Sequence, residues 1–244
     1  NLRLIALDAD EKALELAAEK LAPFEDRVML IRGNFRDLKM ILSSIGVSSI
    51  DCVLFDLGLS TYQITGGRGF SFNDDAFLDM RMDNRESLTA YDVVNNYSYE
   101  DLKGIMEDYG EEYKAYKIAK AIVDERKKHP IRTAKALSEI ILKVKRRTGR
   151  IHPATKAFQA IRIEVNSELK NLTTGLIDAV DMLAPKGRIG VISFHSLEDR
   201  IVKNTFNGSS MLRVITKKPI QAGREEVRAN PNSRSAKFRV AEKE

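Results

Sequence analysis

Two carboxylates stand where an α/β fold does its chemistry. Asp8 closes the mostly apolar run from Leu2 to Leu7, and Asp56 closes the run from Cys52 to Phe55, just ahead of a loop at Gly58. The carboxyl ends of parallel strands face the crevice in which such sheets bind ligands, and an acidic residue there accepts hydrogen bonds from ribose hydroxyls. Asp8 also has a plainer reading, because Asp favours the capping position before a helix. A second chemical signal is positive charge. From Lys114 to Arg150, 13 Lys and Arg oppose only Asp124, Glu125 and Glu139, and from Arg213 to Arg239, 8 oppose Glu225 and Glu226. Lys143, Arg146, Arg147 and Arg150 recur at i, i+3, i+4 and i+7, so a helix running through them would set them in one stripe. Concentrated charge of this kind suits a polyanion, whose counterions are released when phosphates are neutralised. A solvated helix face is the alternative.

The elements that must carry these residues follow from periodicity. Leu14, Ala17, Ala18 and Leu21 repeat at helical spacing after Asp8 until Pro23, and Val28 to Ile31 is a second apolar run leading to Gly33, Asn34 and Phe35. Continuous apolar runs separated by helices are the strands of a parallel sheet covered on both faces. Cys52 then reads as packing inside a buried strand. A helix is expected from about Ile163 to Leu183, stopped by Pro185 and Gly187, with Arg188 to Phe194 as the next buried strand. The β-prone segments Leu212 to Thr216 and Ala236 to Val240 are expected to close the sheet with an antiparallel edge. Between Glu86 and Gln159 the pattern is helical, with Ile118, Ala121 and Ile122, then Leu137, Ile140, Ile141 and Val144, on apolar faces. The expected division is 1–85 and 163–244 for the α/β part and 86–162 for a helical insertion.

Composition narrows the class. The 244 residues are 43% hydrophobic, enough for a sizeable core, with a net charge of +5. The basic segments therefore sit on an otherwise acidic chain. No apolar run approaches the length of a membrane span, and no basic-then-apolar leader opens the chain. One cysteine makes no internal disulfide, and His129, His152 and His195 lie too far apart in sequence for zinc-type spacing, so no metal is expected and a reducing cytoplasm fits.

Six strings sharpen the reading: DLGLSTYQ (56–63), RGFSF (68–72), LDMRMD (78–83), HPATKAFQAIRIEVN (152–166), ISFHSLEDRIV (192–202) and NPNSRSAKFRV (230–240). In content and order they resemble the bacterial S-adenosylmethionine-dependent ribosomal RNA cytosine-N4 methyltransferases, the MraW/RsmH family, across essentially the whole chain. The resemblance implies a class I methyltransferase, a Rossmann-like α/β sheet with an inserted all-helical, substrate-recognising domain. It implies S-adenosyl-L-methionine as cofactor and small-subunit (16S) ribosomal RNA, or the 30S subunit, as partner. The product would be an N4-methylated cytidine near the decoding centre. Of the matching positions, Asp8 would hold the cofactor ribose and Phe35 would line the adenine slot. Asp56 and Gln63 would border the methionine portion and the methyl-transfer crevice, with Asp56 catalytic. Without the resemblance, Phe35 reads first as plain core. The family's opening strand and glycine-rich loop have no counterpart here, so the resemblance also implies a sheet lacking its first strand and helix, and weak cofactor binding by this chain.

His195 follows the strand that would face the acceptor base and is a second catalytic candidate, although Ser196 and Asp199 have capping-box spacing and explain much of the string structurally. His152, Arg200 and Arg234 join Lys143, Arg146, Arg147 and Arg150 as RNA-contact candidates, with support of the local fold as the rival reading for His152. Two other classes share parts of this pattern. A nicotinamide oxidoreductase would use the same sheet, and Tyr113 with Lys117 has the Tyr-x-x-x-Lys spacing of a proton relay. A non-catalytic RNA-binding module would need only the basic segments.

Overall fold

The computed structural model describes residues 2–147, 149 and 151–244. In chain order its elements are β1 (Leu4–Asp8), α1 (Glu11–Leu21), β2 (Val28–Arg32), α2 (Leu38–Ser44), β3 (Ile50–Asp56), α3 (Thr61–Thr65), α4 (Ala90–Asn96), α5 (Tyr99–Asp108), α6 (Ala115–Arg126) and α7 (Ala134–Val144). They continue with α8 (Thr155–Asn166), α9 (Glu168–Met182), β4 (Leu183–Ser193), α10 (Ser196–Gly208), β5 (Leu212–Val214), β6 (Ile220–Gln221), α11 (Arg224–Ala229) and β7 (Lys237–Lys243). The chain forms two compact units, one running to Gly58 and resuming at Leu169–Glu244, the other Leu59–Glu168.

The first unit is α/β. β1 and β2 pair in parallel, Asp8 opposite Arg32, and β3 and β4 pair in parallel, Asp56 opposite Ile192. β7 runs antiparallel to β4 on one side and to β5 on the other, giving the order β3-β4-β7-β5. The antiparallel closure is as the sequence suggests, with β7 interior and β5 at the edge. Leu172, Leu176, Ile189, Val191, Val202 and Phe206 form the dry centre, clamped between α9, β4 and α10.

Three expectations for local structure are corrected. β1 and β3 are not bonded to each other, and β3 is covered on one face only. Its buried face carries Val53 and Phe55; Cys52, Leu54 and Asp56, two residues apart, share an open face on which Leu54 is 62% exposed. Cys52 is therefore exposed rather than packed. The expected helix from Ile163 to Leu183 is two helices, broken at Ser167, whose left-handed φ of 49° ends α8. Apolar spacing continues across that break, so periodicity alone does not reveal it. Finally, α7 stops at Val144, where Lys145 turns extended (φ −133°, ψ 97°). Arg146 and Arg147 thus leave the helix and share no helical stripe with Lys143.

The second unit is helical. Leu102, Met106, Ile118, Ile122, Leu137 and Ile141 are completely buried where α5, α6 and α7 meet, so the apolar stripes on 118–122 and 137–144 do form helix faces. Arg126 ties α6 to the end of α4, donating to the carbonyls of Val94 (2.7 Å) and Tyr97 (2.5 Å). Those groups are orphaned at any helix terminus and need such partners.

Candidate active site

In the α/β unit the functional candidates gather at the carboxyl ends of the strands. Phe35, just beyond β2, meets Phe55 of β3 edge to face at a centroid distance of 5.5 Å, which brings the ends of the two strand pairs together. Helix α9 reaches Phe35 through Gly175, where a Cβ would come within 2.8 Å of the Phe35 ring and carbonyl oxygen. Only glycine permits that approach. Phe35 is half-buried, neither sealed in the core nor free of it.

Asp8 is exposed at the end of β1. Its Oδ1 accepts the N–H of Asp10 (2.8 Å), and its carbonyl accepts the N–H of Gly33 (3.0 Å), which fixes the end of β1 against the turn after β2. The cap of α1 is Asp10, which accepts from Lys12, and not Asp8. Arg32, opposite Asp8 in the ladder, is tied to Glu11 at 2.8 Å.

Asp56 is the chemically distinctive carboxylate. Its side chain opens to solvent, yet enough protein surrounds it for desolvation to raise its pKa above the ordinary 3.8. No side chain pairs with it among the described residues, so nothing offsets that cost. The backbone then turns at Gly58 (φ 97°), against whose α-carbon the Phe194 ring packs closely enough to crowd any added Cβ at 3.0 Å. The Leu57 N–H is held by Ile192 O at 3.0 Å.

His195 is the N-cap of α10, and its capping box is one residue out of the expected register. Glu198, three positions on, accepts from the N–H groups of Phe194 (2.8 Å) and His195 (3.2 Å), while His195 Nδ1 accepts from the Glu198 N–H at 3.4 Å. That places the neutral imidazole proton on Nε2. This nitrogen is buried, 3.2 Å from Glu198 Oε1 but outside hydrogen-bond geometry. Asp199, expected as the second half of the box, instead pairs with Arg239 (2.7 Å) and Lys237 (3.3 Å). Glu198, which the sequence offers as an RNA contact or a partner of Arg200 on the helix surface, is instead 3% exposed and completes the cap as the Glu at the third helical position. Arg200 on α10 and Arg234 before β7 are both exposed.

The helical unit holds the remaining candidates. Gln63 is buried, and its Oε1 accepts from the Ser60 N–H at 3.0 Å in the capping box of α3. His152 stacks on Phe72 (centroids 4.4 Å apart, planes at 13°), and its Nδ1 accepts from Ala154 at 3.3 Å. Burial, then the charge of Arg147, lowers its pKa and keeps the ring neutral. Phe72 and the Ala154 N–H thereby anchor His152 in the local fold. Lys143, Arg146 and Arg147 are exposed, and Arg150 lies outside the described residues. The Tyr113–Lys117 spacing forms no relay, since the Lys117 ammonium sits over the Tyr116 ring at 5.6 Å.

Comparison with known proteins identifies the family. The profile of the MraW methylase family matches residues 1–244. A "Ribosomal RNA small subunit methyltransferase H" of Sulfurihydrogenibium sp. (strain YO3AOP1) is 52% identical over 246 residues, covering 98% of this chain and 84% of the relative. Relatives of the same name in Brevibacillus brevis (47% over 264 residues; 99% and 84%) and Clostridioides difficile (46% over 261 residues; 98% and 84%) are similar to it as well. No helix of the described residues is long and apolar enough to cross a membrane. The α/β sheet with its helical unit has the Rossmann-like architecture of a methyltransferase, and the chain belongs to the MraW methylase family.

Proposed function

We propose that this chain methylates the N4 amine of a cytidine in small-subunit ribosomal RNA, near the decoding centre, using S-adenosyl-L-methionine. The names of its relatives support a small-subunit ribosomal RNA as substrate. The observation that carries the chemistry is Asp56, an unpaired carboxylate with a raised pKa at the mouth of a strand-end turn. A cytosine amine is a poor nucleophile because its lone pair is delocalised into the ring. Asp56 accepts a hydrogen bond from the amine, turns the lone pair toward the attack line, and takes up the proton released on transfer. Its raised pKa suits it to that last step.

The residues present fit the cofactor. Asp8 offers a carboxylate to the ribose hydroxyls at the end of β1, and the half-buried Phe35 offers a ring face or edge to adenine. When bound, the cofactor supplies an electrophilic methyl on its sulfonium. Methylation at the ring carbon C5 would need a thiolate nucleophile. Cys52 is exposed but lies four residues upstream of Asp56, roughly 13 Å along the strand, too far back to serve the same base. We further propose residues 86–162 as the substrate-recognition insertion, with Lys143, Arg146 and Arg147 on it and Arg200 and Arg234 on the α/β unit contacting phosphates. Action on ribosomal RNA puts the protein in the cytoplasm.

The test is transfer of labelled methyl from S-adenosyl-L-methionine to small-subunit ribosomal RNA, followed by nucleoside mass spectrometry. N4-methylcytidine is the expected product. Label in C5-methylcytidine, or none in RNA, would overturn the assignment.

A further inference from the structure

Two tyrosines in the helical unit are left outside its core. Tyr113 is 72% exposed and Tyr116 49% exposed, at the start of a helix that seals Ile118, Ala119 and Ile122 completely. Folding gains little from either ring, and neither hydroxyl makes a hydrogen bond among the described residues. Each ring instead carries ammonium groups. Lys114 and Lys145 Nζ lie 5.7 and 5.6 Å from the Tyr113 centroid, and Lys117 Nζ lies 5.6 Å from that of Tyr116. Lys145 is held in place by the buried Glu112, which fixes the start of the Arg146–Arg147 segment beside Tyr113.

We propose that Tyr113 and Tyr116 are a stacking platform for unpaired bases of the RNA substrate, with Lys114 and Lys117 on the phosphates alongside. The chemistry selects this ligand. Exposed tyrosine rings with ammonium groups lying over them match a chain that alternates flat π-systems with negative charge, as single-stranded RNA does, the ammonium passing from ring to phosphate as a base stacks. An acidic peptide satisfies the lysines but not the rings, and duplex RNA hides the base faces the rings require. The inference rests on RNA being the substrate and deepens that reading. The platform would hold unpaired nucleotides of the substrate, a role separate from the chemistry at the strand ends.

The test is fluorescence anisotropy of the full chain with a labelled single-stranded ribosomal RNA fragment, over a salt series, with duplex RNA as the comparison. Tyr113→Ala and Tyr116→Ala should each weaken single-strand binding about tenfold, and Tyr→Phe at either position should retain it, since the ring face does the work. The slope of log affinity against log salt should not change in these variants. Lys114→Gln and Lys117→Gln should flatten that slope, and duplex binding should be indifferent to the tyrosines. Alanine variants that bind the single strand like the parent, or that lose duplex binding equally, would overturn the platform alone. If the parent binds no RNA at any salt, both the platform and the RNA reading fail. Circular dichroism melts check that the alanine variants remain folded, as solvent-facing rings predict.

Discussion

Asn166 holds Met80 in place across a long stretch of chain: its amide nitrogen donates to Met80 O at 2.8 Å, and its Oδ1 accepts the Met82 N–H at 2.7 Å. Met80 needs the support. It is 1% exposed and has a φ of 59°, a left-handed conformation that costs a non-glycine residue roughly 1–2 kcal/mol. Asn166→Ala strands both backbone groups and should lower unfolding free energy by about 2–3 kcal/mol in urea titration. Asn166→Asp, which keeps the acceptor and loses the donor, should fall between. A midpoint equal to that of the parent for the alanine variant would show that the clamp is not what holds the turn.

Glu112 has a side chain with no solvent exposure, paired with Lys145. Breaking such a pair leaves an uncompensated charge in the interior, so Lys145→Met should cost about 3–5 kcal/mol. Changing both partners together, Glu112→Leu with Lys145→Met, removes the stranded charge and should recover most of that loss. Thermal melts of the single and double variants decide it; equal losses in both would mean that the pair is not what stabilises this corner.

Asp56 links activity to stability with opposite signs. Desolvation raises its pKa in the folded chain above 3.8, so the folded state binds a proton more tightly than the unfolded one. Stability from this group is present below 3.8 and is lost as pH rises through the folded value. Asp56→Asn should therefore melt no lower than the parent at pH 7 while methyl transfer drops on the order of a hundredfold or more. In the parent, transfer should fade on acidification before pH reaches 3.8. An active asparagine variant would remove Asp56 from the reaction.

Asp199 shows the reverse titration. Burial by itself would raise its pKa, but the hydrogen bonds and charges of Arg239 and Lys237 outweigh that and leave it lowered from 3.8. Its contribution to stability is then full above 3.8 and lost as pH falls through the folded value. Asp199→Asn leaves Arg239, 8% exposed, without its counter-charge, and should cost on the order of 2 kcal/mol at pH 7. The penalty should shrink toward zero in an acid denaturation series carried well below 3.8. A penalty independent of pH would point to packing instead.

Much of this architecture is legible from residue pattern because short apolar runs closed by acidic residues have few alternatives. Asp8 and Asp56 fall at strand ends, and the faces at 118–122 and 137–144 are helical, as their spacing requires. The misreadings share a cause, since local pattern does not report what lies opposite. Four consecutive apolar residues from Cys52 to Phe55 suit a strand covered on both sides or on one, and only pairing decides that Leu54 is open. Basic residues at helical spacing continued past Val144, but the chain leaves the helix where Glu112, a residue that reads as solvent-facing, draws Lys145 inward. His195 was displaced as a cap by the more usual Ser196, although Glu198 marked the true register. The site's carboxylates are visible in sequence; the contacts that fix their surroundings, Gly33 on the Asp8 carbonyl and Gly175 against Phe35, appear only in three dimensions.

The chain contains a single sulfhydryl, on the open side of β3 and facing the same way as Asp56. A maleimide dye would attach at one address without any engineering. Its emission would report on whatever settles over that side of the strand, turning an unshielded thiol into a built-in gauge of occupancy.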